Sequence, residues 1–201
     1  MQAATFPRFI LYYNIDMAVS GDQMLVERTL AGDLDAFGDL VQIYQASVFN
    51  VCYRVLGNRR DAEDLTQEAF LRAYNYLNLY DQDRPFGPWM RTLAANLCYN
   101  HLKRRELDRL PLEDERDLPE MDPVQNPEGS IEISQKNQAI YQALWELPHP
   151  QRIALELRHF QGLSYQEMAN TLDLPLNTVR SHLYRGRQKM AELLEEEEYG
   201  N

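Results

Sequence analysis

The stretch Leu163-Ser164-Tyr165-Gln166-Glu167-Met168-Ala169-Asn170-Thr171-Leu172-Asp173-Leu174-Pro175-Leu176-Asn177-Thr178-Val179-Arg180 decides how this chain is read. Ser164 and Glu167 stand at capping-box spacing, so a helix starts there with its first amides satisfied. Met168, Ala169 and Leu172 form its inner face, and the small Ala169 permits close approach of a second helix. After a short turn at Asp173-Leu174, Pro175 suits the first position of the next helix. That helix carries Val179, Leu183, Gly186 and Met190 on one side, at intervals of four, three and four. Two short helices with this turn and this spacing predict a helix-turn-helix.

The opposite face of the second helix carries chemistry. At about 100° per residue, Asn177, Ser181, Tyr184, Arg185 and Gln188 point away from the buried stripe, with Thr178, Arg180, Arg187 and Lys189 at its shoulders. No acidic residue lies between Leu174 and Ala191. Such a face suits a major groove bordered by phosphates. A solvated basic face on an ordinary amphipathic helix has the same composition, and the preceding cap and turn favour the DNA reading. Arg158 fits a phosphate contact and a plain surface charge equally well.

A net charge of −11 opposes nucleic-acid binding only until its distribution is considered. Residues 106–132 hold ten acidic and two basic side chains, and 192–201 add five glutamates. Residues 133–191 hold seven basic and four acidic side chains, so the region with the helix-turn-helix is cationic. Local patches, not the total, govern DNA affinity. Pro111, Pro119, Pro123 and Pro127 fall in the acidic stretch, where proline and like charge disfavour a long helix.

The expected organisation is all-α, with two helical domains. Residues 1–19 read as a disordered extension with an alternative start at Met17, and 20–108 as a helical bundle. Residues 109–131 read as an acidic, proline-rich linker, 132–194 as a four-helix domain with the helix-turn-helix, and 195–201 as an acidic tail. In the first domain Ser20 or Asp22 is expected to cap a short helix ending near Gly32. Asp33 caps a longer one that places Phe37, Leu40, Val41, Tyr44, Val48, Val51 and Val55 inward and stops at Gly57. A third helix is expected from about Arg60 to Tyr80, with Tyr74 among its inward positions. A loop covers Asp81 to Pro88, and a fourth helix runs to about Arg105. In the second domain the helices are expected near 131–147, 150–160, 164–172 and 175–194.

No apolar run approaches the roughly 18–20 residues of a membrane span, so membrane insertion is not expected. Cys52 and Cys98 sit in apolar helical patterns and read as buried small hydrophobes. His101, His149, His159 and His182 have no ligand spacing with them, and no phosphate-binding glycine loop occurs, so neither cofactor nor metal is expected.

A helix-turn-helix alone fits repressors and activators as well, and the acidic segments fit an interaction protein with a basic partner. The first domain adds Asp61-Ala62-Glu63-Asp64-Leu65-Thr66-Gln67-Glu68-Ala69-Phe70-Leu71-Arg72-Ala73-Tyr74 and Phe86-Gly87-Pro88-Trp89-Met90-Arg91-Thr92-Leu93-Ala94-Ala95-Asn96. These closely resemble the polymerase-binding and promoter-melting helices of bacterial sigma factors. Leu144-Trp145-Glu146-Leu147-Pro148 and Leu163 to Met190 resemble that family's other domain, in the expected order. With two domains and a short linker, the chain resembles the extracytoplasmic-function (ECF) subfamily over about residues 22–194. Asn177 and Asp173 depart from the glycines common at those positions, yet both residue types tolerate a left-handed backbone.

The resemblance implies a promoter-specificity factor, not an enzyme, acting in the cytoplasm. Its partners would be core RNA polymerase (beta and beta-prime subunits), promoter DNA and an anti-sigma factor. Asp64, Gln67, Glu68 and Arg72, on one helical stripe, would dock on polymerase, although a solvated charged face has the same spacing. Phe86, Arg91, Asn96 and Asn100 would meet the −10 element, with Lys103, Arg104 and Arg105 on phosphates. A base flipped from the non-template strand would enter the exposed loop, and Trp89 reads as core rather than wedge. Asn177, Thr178, Arg180, Ser181, Tyr184, Arg185, Arg187 and Gln188 would meet the −35 element. The acidic linker would imitate nucleic acid in the polymerase channels, or serve as a soluble spacer.

Overall fold

The computed structural model describes residues 18–108 and 135–199, so the expectations for 1–17 and 109–134 lie outside the described residues. The helices run α1 Ala18–Leu30, α2 Leu34–Leu56, α3 Arg59–Asn75, α4 Phe86–Asp108, α5 Gln135–Glu146, α6 His149–Leu155, α7 Tyr165–Leu172 and α8 Leu176–Tyr199. A 3-10 turn, Leu77–Leu79, follows α3, and a π-helical turn, Glu156–Phe160, continues α6. Among the described residues there is no strand.

Local chemistry sets these boundaries. The Asp33 carboxylate accepts from the amides of Asp35 and Ala36 at 3.1 and 3.2 Å and opens α2. Arg28 holds the other carboxylate oxygen at 2.7 Å, and its hydrogen bond is the main reason the Asp33 carboxyl lies below its ordinary range. Gly57 ends α2 with φ +72°, the left-handed geometry a C-terminal glycine supplies. Asn58 caps α3 by accepting from the Asp61 amide at 3.0 Å. Asp22 is not the cap of α1. It sits within that helix, buried, and accepts a hydrogen bond from the Tyr44 hydroxyl of α2. Burial raises its carboxyl above the ordinary range.

The expected third helix is shorter, because the chain turns at Tyr76 and seats Leu77 in the core while leaving Leu79 exposed. Tyr74, expected inward, is 41 % exposed and packs edge-on against Phe37. α4 starts at Phe86, not after the loop's last proline. Pro88 falls in its first turn, where an amide has no intrahelical acceptor to lose.

α2 is the axis of the first domain, with α1, α3 and α4 around it. Leu40, Val48, Val51, Cys52 and Val55 of α2 are fully buried with Ala62 and Ala69 of α3 and Met90, Ala94 and Cys98 of α4. In the second domain Ile153, Leu157, Met168, Leu172, Val179, Leu183 and Met190 fill the core. Gly186 lets α8 press onto α6, since a Cβ there would lie 3.3 Å from side-chain atoms of Gln151 and Leu155.

The two domains pack on each other through the C-terminal end of α2. The Trp145 indole donates to the Tyr53 carbonyl at 3.3 Å, and Arg152 donates to the Val55 carbonyl at 2.7 Å. Arg152 also donates to the carbonyls of Trp145 and Leu147, and burial pushes its guanidinium pKa down to about 10. Arg54 grips Glu156 with two 2.8 Å bonds and lies 4.4 Å over the Phe160 ring. Gly57 adjoins this seam, where a Cβ would meet Trp145 Cδ1 at 3.1 Å. Gly57→Ala should therefore destabilise the protein by about 1–2 kcal/mol from its left-handed backbone alone. A thermal melt should show a clear drop, and an unchanged midpoint would contradict this account of the corner.

Candidate nucleic-acid interface

The helix-turn-helix forms as its residues dictate. Ser164 Oγ accepts from the Glu167 amide at 3.2 Å, and the Glu167 carboxylate accepts from the Ser164 amide at 2.8 Å. The turn bends through Asp173, the one non-glycine residue with positive φ (51°) among those described. Its conformation is the left-handed one for which glycine is common and aspartate is tolerated. The Leu174 amide donates to the Ala169 carbonyl at 3.0 Å and closes the corner.

On α8 the buried stripe is Val179, Leu183, Gly186 and Met190, and the opposite face is open. Asn177, Arg180, Tyr184, Arg185, Gln188 and Lys189 are exposed; Thr178, Ser181 and Arg187 are half-buried at the edges. Among the described residues neither Arg180 nor Arg185 forms an ion pair. Gln188 donates to the Tyr184 hydroxyl at 2.9 Å, fixing two neighbouring groups on this face. Arg187 Nε donates to His159 Nε2 at 3.3 Å, which requires that nitrogen to be unprotonated. Burial, followed by Arg187 and Arg158, pushes the His159 pKa below its usual value. Arg158 serves the fold: it donates to the Leu163 carbonyl at 2.8 Å and lies 5.3 Å from the centre of the Tyr165 ring.

In the first domain, Asp64, Gln67 and Arg72 are exposed on α3 and Glu68 is half-buried, with Arg72 bonded to Glu68 at 2.6 Å. Beside them a groove of about 380 Å³ lies between α2 and α3, lined by Phe37, Val41, Gln45, Thr66, Gln67, Phe70 and Leu71. Leu71 is 66 % exposed at its edge. The charged stripe was legible in the sequence, and its apolar neighbour was not. Leu71 falls outside the i, i+3, i+4 pattern that marks a buried face, so only the folded surface singles it out.

The α4 residues divide. Phe86 is fully buried, against the expectation of a DNA contact. It packs with Tyr44, Tyr80 and Trp89 at ring separations of 5.4–5.6 Å, so it has no face left for a base. Trp89 is half-buried in the same cluster. Arg91 is half-buried and its Nε donates to Gln161 of the second domain at 2.8 Å. Asn100 is exposed and bonds Asn96 at 3.3 Å. Lys103, Arg104 and Arg105 are exposed, though Arg105 pairs with Asp61 of α3 at 2.9 Å. Tyr76, 54 % exposed, stands just before the loop and escaped the sequence reading because nothing in the pattern around it separates an exposed aromatic from a core one.

A capped helix-turn-helix with a cationic outer face, joined to a helical bundle with a second polar face, defines a two-module DNA-binding protein. Comparison with known proteins names it more closely. Residues 32–107 match the family model for Sigma-70 region 2, and residues 137–190 match that for Sigma-70 region 4, together more than half of the chain. The RNA polymerase sigma-H factor of Pseudomonas aeruginosa is 34 % identical over 181 residues, covering 87 % of this chain and 94 % of that protein. The ECF RNA polymerase sigma-E factor of Escherichia coli is 33 % identical over 174 residues (83 % and 91 %), and SigW of Bacillus subtilis 30 % over 176 (84 % and 94 %).

The fold matches that of RpoE from Bartonella quintana, solved with the anti-sigma factor NepR. The TM-score is 0.55 at 22 % identity, over 79 % of this chain and 96 % of that one. CnrH, solved with the cytosolic domain of CnrY, gives a TM-score of 0.52 at 24 % identity, over 87 % and 97 %.

The chain belongs to the ECF sigma factors of bacterial RNA polymerase. It is accordingly a promoter-specificity factor for transcription initiation. Among the described residues no helix is long and apolar enough to cross a membrane.

The capping box generates a measurable expectation. Ser164→Ala should cost about 1 kcal/mol. The backbone amide of Ser164 is the first cause that holds the Glu167 carboxyl below its ordinary value. A carboxyl depressed by folding stabilises the fold above its unfolded pKa, and the gain is lost as pH falls through the folded value. Wild type should thus lose this increment on acidification below the usual glutamate range, whereas Glu167→Gln should not. Parallel slopes for the two proteins in a denaturation series against pH would contradict the assignment.

Proposed function

We propose that this sigma factor contacts core polymerase through α3, the −10 element through α4 with the loop before it, and the −35 element through α8. The observation that carries the reading is the open α8 face, with Arg180 and Arg185 unpaired among the described residues behind a fixed cap and turn. Asn177, Thr178, Arg180, Ser181, Tyr184, Arg185, Arg187 and Gln188 read the −35 duplex. Arginine and amide side chains of that kind meet base edges and phosphates in the major groove.

On α3, Asp64, Gln67, Glu68 and Arg72 supply polar contacts to the polymerase, and the groove ending at Leu71 supplies the apolar ones. Interfaces commonly pair an apolar centre with a polar rim. On α4, Asn96, Asn100, Lys103 and Arg104 meet the −10 strand, joined by Arg91 and Arg105 when their present partners release them. Tyr76, rather than Phe86, is the aromatic available to stack on an unpaired base. Capture of the separated strand shifts the duplex equilibrium toward the open form, with no covalent step by this chain.

The same reading makes the chain a non-catalytic, cytoplasmic subunit, with RNA synthesis left to the polymerase. Its domains are 20–108 and 132–194, and the acidic 109–131 segment enters the basic polymerase channels as a nucleic-acid mimic. An anti-sigma protein is its expected regulator, because RpoE, whose fold it shares, was solved with the anti-sigma factor NepR.

Co-purification with core polymerase plus run-off transcription from a cognate promoter tests the whole reading, and absence of polymerase association overturns it. Arg185→Ala should cut promoter-dependent transcription by about 5- to 150-fold, as expected for a base contact worth about 1–3 kcal/mol. Polymerase binding should stay at the wild-type level, and its loss in that variant would mean the two faces are exchanged. Leu71→Asp should do the reverse: weaken co-purification with core polymerase while the isolated chain keeps its thermal midpoint.

A further inference from the structure

The loop that joins the 3-10 turn to α4 is open on its side chains and tied down on its backbone. Asp81, Gln82, Asp83 and Arg84 are all exposed. Their main-chain groups nevertheless find partners inside the first domain. The Arg84 amide donates to the Asp81 carbonyl at 3.0 Å, and the Asp83 amide donates to the Asp81 carboxylate at 3.1 Å. The Arg84 carbonyl accepts from the Tyr80 hydroxyl, and the Gln82 carbonyl accepts from the Gln23 side-chain amide at 2.9 Å.

The first three of these bonds are local. The fourth joins residues 59 apart and ties the middle of the loop to α1. Gln23 can hold the loop because α1 is itself fixed: the neighbouring Asp22 is buried and takes the Tyr44 hydroxyl of α2. Tyr80 is anchored as well, its ring 5.6 Å from Phe86 and 4.9 Å from Trp89. A loop that ordered only when a base entered it would lose backbone freedom at that moment, and binding would weaken by that cost. Held beforehand, the loop presents Gln82 and Asp83 with the ordering done in folding. Arg84 pairs with Asp81 at 3.2 Å, which leaves the Asp83 carboxylate uncompensated within the loop. A carboxylate repels phosphate and accepts from a base's exocyclic amine, so the loop suits a base edge rather than the DNA backbone.

Resting on the −10 reading above, we propose that Gln23 of α1 is a positioning residue for base capture, whose hydrogen bond to the Gln82 carbonyl holds the 81–84 loop in the shape that receives the unpaired −10 base. Gln23 acts through the loop backbone and does not itself touch DNA. A bond that merely steadied the fold would be felt on every DNA alike. A positioning bond is felt only when the captured base is present.

The test is promoter binding by holoenzyme assembled from this full-length chain and core polymerase, on fork-junction DNA whose −10 non-template strand is single-stranded. A series of such DNAs would carry an abasic site at each −10 position in turn. Gln23→Met keeps the length and bulk of the half-buried side chain and removes its donor. On intact DNA the variant holoenzyme should bind about 2- to 12-fold more weakly, the net worth of one hydrogen bond. With the abasic site at the captured position, wild type and variant should bind alike, because the two losses remove the same interaction and do not add. At the other positions the ratio between them should stay as on intact DNA. An equal loss at every abasic position, or equal binding of intact DNA, would overturn the positioning role and leave the −10 reading standing. Wild-type holoenzyme indifferent to every abasic position would overturn that reading, and the positioning role with it.

Discussion

A helix that ends inside a protein leaves carbonyls that must find donors, and the C-terminal end of α2 is where this fold meets that constraint. The Tyr53 carbonyl takes the Gly57 amide and the Trp145 indole; the Val55 carbonyl takes Arg152. Two of these three donors come from a domain some ninety residues further along the chain. The end of α2 is therefore finished by the second domain, and the position of that domain follows from satisfying it. The other terminal nitrogen of Arg152 donates to the Trp145 and Leu147 carbonyls, so one buried cation joins the α2 terminus to the corner between α5 and α6.

The α8 and α3 surfaces lie away from this seam, into which Arg91 of α4 reaches, and they owe their shape to different physics. α8 is held by a glycine-permitted close approach to α6 and by a continuous apolar stripe, which leaves its cations pointing to solvent. α3 rests on α2 through alanines and Phe70, and the mismatch between small and large side chains leaves an open groove at Gln67 and Leu71. One surface is open and cationic, and the other is a largely apolar notch.

Local features were legible in the sequence, and distant pairings were not. Asp33, Gly57, Ser164 with Glu167, and the Val179 to Met190 stripe each act over one or two helical turns, so spacing alone identifies them. The Asp22–Tyr44 bond joins residues 22 apart, and the Arg54–Glu156 pair joins residues 102 apart. No periodicity connects such positions. Phe86 failed for a related reason: an aromatic at a loop-to-helix junction reads as exposed until Tyr44, Tyr80 and Trp89 are placed around it. The extra residue at 156–160 also escaped, since a π turn has the composition of the α-helix it interrupts.

That π turn works as a phase shifter. A hydrogen bond from the Gln161 amide to the Glu156 carbonyl spans five residues, and the next, from Leu163 to Leu157, spans six. An α-helix carried through the same stretch would close each bond at four, so Gln161 would rotate off the Arg91–Glu156 axis and Ser164 would start α7 in another direction. Deleting a single residue between 156 and 160 would consequently be felt twice, at the domain seam and at the angle with which the recognition helix is presented. The spacing of this short segment is a length standard shared by both.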